Sequence, residues 1–192
     1  MLLDFSFTNN LLPQTGSILI SDPFLDEDFF RRSAVLICEH NDEGTFGLVL
    51  NNFIELGIHE IESDFPEINN FLSIGGPVET EHLFFVHSFG SDVKNSLQIR
   101  KDLFFGGDYN QLKEKINHDP TKGDVRFFLG YSGWAPKQLD EEIKTHAWIV
   151  VNNITSKEIL SPPNQDFWMF CMEKQGGRFK SIARAPINPN NN

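Results

Sequence analysis

Apolar residues in this chain come in short runs, with few long helical stripes. Ala34-Val-Leu-Ile-Cys38 is uninterrupted before Glu39, a pattern that predicts a strand over 34–39 buried on both faces. Turn residues follow from His40 to Gly44, and Thr45-Phe-Gly-Leu-Val-Leu50 returns. The pair predicts a hairpin with a loop of about four to five residues. Gly16-Ser-Ile-Leu-Ile-Ser21 predicts a first strand closed by Asp22-Pro23, because the residue before proline avoids the α region. Further strands are expected over 82–88 and 97–99. Helical spacing is brief. Residues 26–33, acidic first and basic last, predict one or two turns. Ile58, Ile61, Glu62 and Phe65 predict a short helix ended by Pro66. Asp108 with Gln111 caps a helix over 109–117 that buries Leu112 and Ile116 and stops before Asp119-Pro120. Asp166 caps another over 167–175, ended by Gly176-Gly177.

The stretch 126–151 is the one the rest is packed around. Val125, Phe127, Phe128 and Leu129 predict a buried strand ended by Gly130. Gly130 and Gly133 bracket a turn at Tyr131-Ser132, and Pro136 suits the first position of a helix. Leu139 and Ile143 share one face of that helix, and residues 145–151 return as a β-branched run. Two strands joined through a helix are candidates for parallel neighbours, although this connection is near the lower limit for a crossover.

Charge and composition narrow the functional classes. The chain has 192 residues, enough for one domain with a sizeable core, and a formal net charge of −11. That charge argues against a direct nucleic-acid surface, which needs clustered Lys and Arg; the only basic groupings are Arg31-Arg32 and residues 174–184. Two cysteines far apart, no signal-peptide pattern and no apolar window approaching a membrane span lead to the expectation of a reduced, cytoplasmic protein without membrane contact. Nineteen phenylalanines are many for this length, and any that lie exposed together mark an interface.

Several segments in order resemble the YqgE/AlgH family: Gly16-Ser-Ile-Leu-Ile-Ser-Asp-Pro-Phe24, Phe30-Arg-Arg-Ser-Ala-Val-Leu-Ile-Cys-Glu-His-Asn41, Gly47-Leu-Val-Leu-Asn51, Gly75-Gly-Pro-Val78, residues 126–139 and Ala185-Pro-Ile-Asn-Pro189. Ser132 and Ala135 depart from the small residues, such as Ala and Gly, expected there. The resemblance implies an α+β protein of bacterial cytoplasm with a mixed, bifurcated β-sheet flanked by short helices and two closely joined subdomains. It places one domain over 1–185, and 186–192 is expected to be a flexible tail. It brings no established catalytic residues. Some members carry a transcriptional-regulator label, but no helix-turn-helix pattern is present here.

Each candidate for chemistry has a plain structural alternative. Ser132 follows a strand, yet Gly130-Tyr-Ser-Gly-Trp134 lacks the last glycine of a nucleophile elbow. Asp140 and His146 follow it in triad order, but all three crowd into one unit. Cys38 and His40 alternate onto one side of a strand, too few for a zinc site, and a buried inert thiol is the simpler account. His82 and His87 fall on opposite faces. Gly75-Gly76-Pro77 and Gly106-Gly107-Asp108 can cradle anions, but turn chemistry explains both. The candidate binding residues are therefore Ser132, Gly133, Trp134 and Lys137, with Asp22 and Pro23; no cofactor or metal is expected. A non-enzymatic binding or regulatory protein with an unknown protein or small-molecule partner is the leading reading. A small-molecule hydrolase using Ser132 or Cys38 is the alternative.

Overall fold

The computed structural model describes residues 11–68 and 71–184. In chain order it contains β1 (Ile18–Ser21), β2 (Ala34–Asn41), β3 (Gly44–Val49), β4 (Phe53–Gly57), α1 (Ile58–Ile61), β5 (Phe71–Ile74), β6 (Val78–His87), β7 (Leu97–Arg100), β8 (Leu103–Phe105), α2 (Tyr109–His118), β9 (Val125–Trp134), α3 (Gln138–Lys144), β10 (Trp148–Val151), α4 (Ser156–Leu160), α5 (Phe167–Lys174) and α6 (Gly177–Ala183). The strands join in the order β10-β1-β2-β3-β9-β6-β8-β7, with β5 on β9 and β4 on β5 as a side branch. The fold is α+β, and its sheet forks at β9. The first part of β9 lies between β6, antiparallel, and β5, parallel. Its last residues, 132–134, pair instead with 45–47 of β3. The expected tail over 186–192, the motif at Ala185 and most of the weakly structured start lie outside the described residues.

Two arms follow from the fork. On one, Leu19, Val35, Ile37 and Val49 pack beneath Leu139 of α3, while Ile18, Ile20, Leu36 and Leu48 on the other face meet Trp168, Cys171 and Met172 of α5. Residues 34–38 are thus buried on both faces, as their continuous apolar run requires. The second arm packs Phe85, Phe127 and Leu72 against Leu112 and Ile116 of α2. Asp108 caps α2 as expected, accepting from the Gln111 amide at 3.1 Å.

Several expectations are corrected. β9 does not end at Gly130 but runs on to Trp134, because the strand exchanges partners there and bends rather than turning back. Pro136 lies in a β-turn before α3, not at its first position: the Gln138 amide donates to the Ala135 carbonyl at 3.0 Å, and Lys137 is left-handed at φ 67°. β9 and β10 are not neighbours. α3 lies over β1, β2 and β3, so the connection clears all three before β10 pairs antiparallel with β1. The β2–β3 loop is tighter than expected, with only Asp42 and Glu43 between the strands. Residues 26–33 form turns rather than a helix, and Arg31 reaches Asp26 and Asp28 at 3.0 and 3.3 Å. The Asp166 side chain makes no capping bond.

Two constraints hold the fork, one in the backbone and one in a side chain. Gly75 and Gly76 cross β9 so closely that a Cβ on Gly76 would sit 1.9 Å from the Tyr131 carbonyl, and one on Gly75 2.3 Å from the Gly130 oxygen. Beside this crossing lies Arg126, 1% exposed. Its Nη1 donates to the Ile159 carbonyl at 2.9 Å, and its Nη2 to the Leu50 carbonyl at 2.7 Å and to Ser73 Oγ at 2.6 Å. The Phe128 ring lies 5.1 Å from the guanidinium carbon. Among the described residues no carboxylate pairs with it, and burial pushes its pKa down to about 9. One cation therefore satisfies acceptors from α4, from the residue after β3 and from β5 together.

Arg126→Ala is expected to cost about 4 kcal/mol in urea unfolding, since it leaves a void and three orphaned acceptors; Arg126→Met, which keeps the volume, should cost substantially less. Gly76→Ala should cost at least about 3 kcal/mol by the same measurement. Gly106→Ala tests the contrast: φ is +62° but nothing lies within 4 Å, so only the left-handed penalty of about 1 kcal/mol applies.

Candidate functional site

The candidate binding residues do not form one group. Ser132 is fully buried on β9, and its hydroxyl donates to the Gly75 carbonyl at 3.0 Å. Asp140 and His146 open with His40 and Lys144 onto a hollow of about 600 Å³ that Ser132 does not line. The Ser…Asp…His order is therefore not a catalytic arrangement. Trp134, 6% exposed, stacks on Phe30 at 6.2 Å and meets Trp148 edge-on at 5.7 Å. Both indole N–H groups donate to the same Glu142 oxygen at 2.8 Å, and Gln138 donates to the other at 2.8 Å. One carboxylate thus fixes both tryptophans under α3. Pro23 is buried, while Asp22 accepts from the Phe24 amide at 2.8 Å. Burial raises the Asp22 carboxyl pKa, against opposing effects of that amide and of His146.

Gly133 and Lys137 are exposed, on opposite sides of the β2–β3 hairpin tip. Strand register explains what surrounds Gly133. Glu39 of β2 pairs with Phe46 of β3, and Phe46 pairs with Gly133 of β9, so the three form one cross-strand row on a single face. A register shift between Ile37 and Glu39 separates this row from the buried run before it. Lacking a side chain, Gly133 leaves a gap in the row. The result is a hollow of about 450 Å³ bordered by Glu39, Glu43, Phe46, Val78 and Tyr131. Phe46 stacks on Tyr131 at 4.5 Å, and Phe84 and Phe105 approach Phe46 at 5.4 and 5.2 Å. All four rings are half-buried.

Sequence reading missed the residues around Gly133. The available signal was the change after Cys38 from a continuous apolar run to alternation, which exposes Glu39 and Asn41 and turns the facing Phe46 outward.

Of the remaining candidates, Cys38, Cys171 and His87 turn inward, while His40 is half-buried and His82 is exposed. Cys38 is fully buried, and burial pushes its thiol pKa up, so it supplies no thiolate. Cys171 is buried in the same core cluster. His40 shares a hydrogen bond of 2.7 Å with Thr45, and His82 lies 3.6 Å from Glu79. Gly75 and Gly76 are filled by the backbone they cross, leaving no cradle for an anion. His87 is buried with Nδ1 accepting from the Phe89 amide at 3.2 Å and Nε2 within reach of the Gly106 carbonyl at 3.1 Å and of Ser96 at 3.0 Å. That pattern fixes the neutral ring with its proton on Nε2.

Burial lowers the His87 pKa, with the Gly106 carbonyl opposing. As pH falls, the unfolded chain takes up the proton first, so this contribution is complete above about pH 6.5 and is lost as pH drops toward the folded value. The urea midpoint should decline between about pH 7 and 5, and His87→Gln, though less stable at neutral pH, should flatten that decline.

Among the described residues no helix is long and apolar enough to cross a membrane. The AlgH-like family model matches residues 18–180. A UPF0301 protein of Parabacteroides distasonis is 42% identical over 186 residues, covering 94% of this chain and 92% of its own. One from Cytophaga hutchinsonii is 39% identical, covering 91% and 96%. Two solved structures share the fold. Protein DIP2367 of Corynebacterium diphtheriae has a TM-score of 0.80 at 23% identity, covering 93% of this chain and 95% of that one. The AlgH protein of Pseudomonas aeruginosa has a TM-score of 0.69 at 22% identity, covering 90% and 94%. A family match over this span, joined to relatives alike along nearly their whole length, means that the chain belongs to the AlgH-like family.

Proposed function

We propose that this protein is a non-catalytic binding and regulatory protein whose recognition surface is the hollow over Gly133. The observation that carries the reading is a division of labour between two sets of side chains. Ser132, Cys38 and His87, the groups best suited to attack or proton transfer, are buried and turned toward backbone or core. Phe46 and Tyr131, which have no role in bond making here, present half-exposed rings beside a glycine gap. Recognition needs such apolar area together with a few polar groups at its edge. An acidic body of net charge −11 adds that any influence on gene expression runs through a protein or small-molecule partner rather than phosphate contacts. Cytoplasmic residence fits two cysteines left as free thiols.

Gly133→Val tests the surface. A Cβ there meets the edge of the Tyr131 ring at 3.2 Å, so the ring shifts by a few tenths of an ångström while the new side chain fills the gap. In an NMR screen of mixed fragments, binders should shift the amides of Phe46, Tyr131 and Gly133 in the parent protein and lose affinity at least about tenfold in Gly133→Val. Turnover of ester or phosphate substrates that disappears in Ser132→Ala or Cys38→Ala would overturn the reading in favour of a hydrolase.

A further inference from the structure

We propose that the hollow over Gly133 receives the cationic side chains of a lysine- or arginine-rich polypeptide segment. The inference rests on the hollow being the recognition surface and adds the chemistry of what enters it. Aromatic faces attract ammonium and guanidinium groups through the ring quadrupole, and here Phe46 and Tyr131 stack 4.5 Å apart at the edge of an open gap. Glu39 and Glu43 border the same gap, and both are exposed. Asn41 holds them together: its Nδ2 donates to Glu39 at 2.7 Å, and its Oδ1 accepts from the Glu43 amide at 2.8 Å. Among the described residues no Lys, Arg or His lines the hollow. Ionised carboxylates only accept hydrogen bonds, so the edge is matched to a donor that carries positive charge.

The shape favours a chain over a small amine. The hollow is shallow and runs from β2 across β3 and β9 to Val78 on β6. Beyond Val78 the exposed residues Glu79 and Glu81 continue the negative character along β6. A lone amine would remain largely hydrated at such a surface. Several cations on one extended segment add their modest pairings and displace more water from the rings. Nucleic acid is disfavoured by the same carboxylates.

Deca-lysine and deca-arginine serve as probes, with a neutral Gly-Ser peptide and deca-glutamate as comparisons. Binding is read by amide shifts at Phe46, Tyr131 and Gly133 and by calorimetry at about 50 and 300 mM salt. The basic peptides should bind through these amides, more weakly at the higher salt, and the other two should not. Glu39→Gln with Glu43→Gln should weaken binding about tenfold, as should Tyr131→Leu, which keeps bulk but removes the ring face. Tyr131→Phe should bind like the parent. The paired change Glu55→Gln and Glu67→Gln, at exposed positions outside the hollow, removes equal charge and should weaken binding less than about twofold. Equal loss from the remote pair, or equal binding of the neutral peptide, overturns the proposal. If neutral or acidic ligands shift these amides and basic ones do not, the cationic assignment falls and the recognition surface stands. If Gly133→Val changes no binding at all, both fall.

Discussion

A close crossing of two backbones governs this molecule. Where Gly75 and Gly76 pass over β9, no side-chain atom fits between them and the Gly130 and Tyr131 carbonyls. The Gly75 amide donates to the Leu129 carbonyl at 2.8 Å, and the Gly75 carbonyl accepts from the Val49 amide at 2.9 Å and from Ser132 at 3.0 Å. β3 and β9 are thereby tied to the residue that follows β5. The crossing lets β9 leave β5 and take up β3, and it turns Gly130 into the left-handed region at φ +67°. Without it the sheet has no fork, and Gly133 has no place opposite Phe46.

Arg126 is the second half of the same solution. A forked sheet leaves ends of strands and helices inside the molecule, each with backbone acceptors that water cannot reach. The Leu50 carbonyl lies one residue past β3, and the Ile159 carbonyl belongs to the last turn of α4. A branched donor with planar geometry reaches both and Ser73 as well, which a lysine could not do from one position. Burying the charge is costly, and among the described residues no carboxylate offsets it. The stacked Phe128 ring and the three acceptors share that role. Arg100 repeats the device nearby, donating to the Gly16 and Ile154 carbonyls.

Legibility in the sequence followed the locality of the cause. The α2 cap, the buried run of β2 and the first strand depend on residues a few positions apart, and all were readable. The ending of β9 was not. Gly130 and Gly133 look like turn residues until β3 and β5 supply partners from distant parts of the chain, and tertiary pairing then outweighs local preference. The short strands β4, β5 and β8 and the helix α4 were missed for a similar reason, although the Thr155–Glu158 capping box was a local signal for α4. Of the candidate site, Gly133 was named for its conformational freedom. Its importance in the structure is the side chain it lacks, in a row completed by Glu39 and Phe46, and that row exists only once three strands are in register.

The disposition of charge follows from the fold. Arg126 is buried inside the fork and Arg100 is half-buried, so part of the positive charge in the sequence is directed at interior carbonyls rather than displayed on the surface. Carboxylates without a bond among the described residues, that of Glu43 included, remain outside. With a formal net charge of −11, the body of the protein has the same sign as the Glu39 and Glu43 edge of the hollow over Gly133. A field of that sign speeds the approach of cationic partners and repels anionic ones before any contact forms.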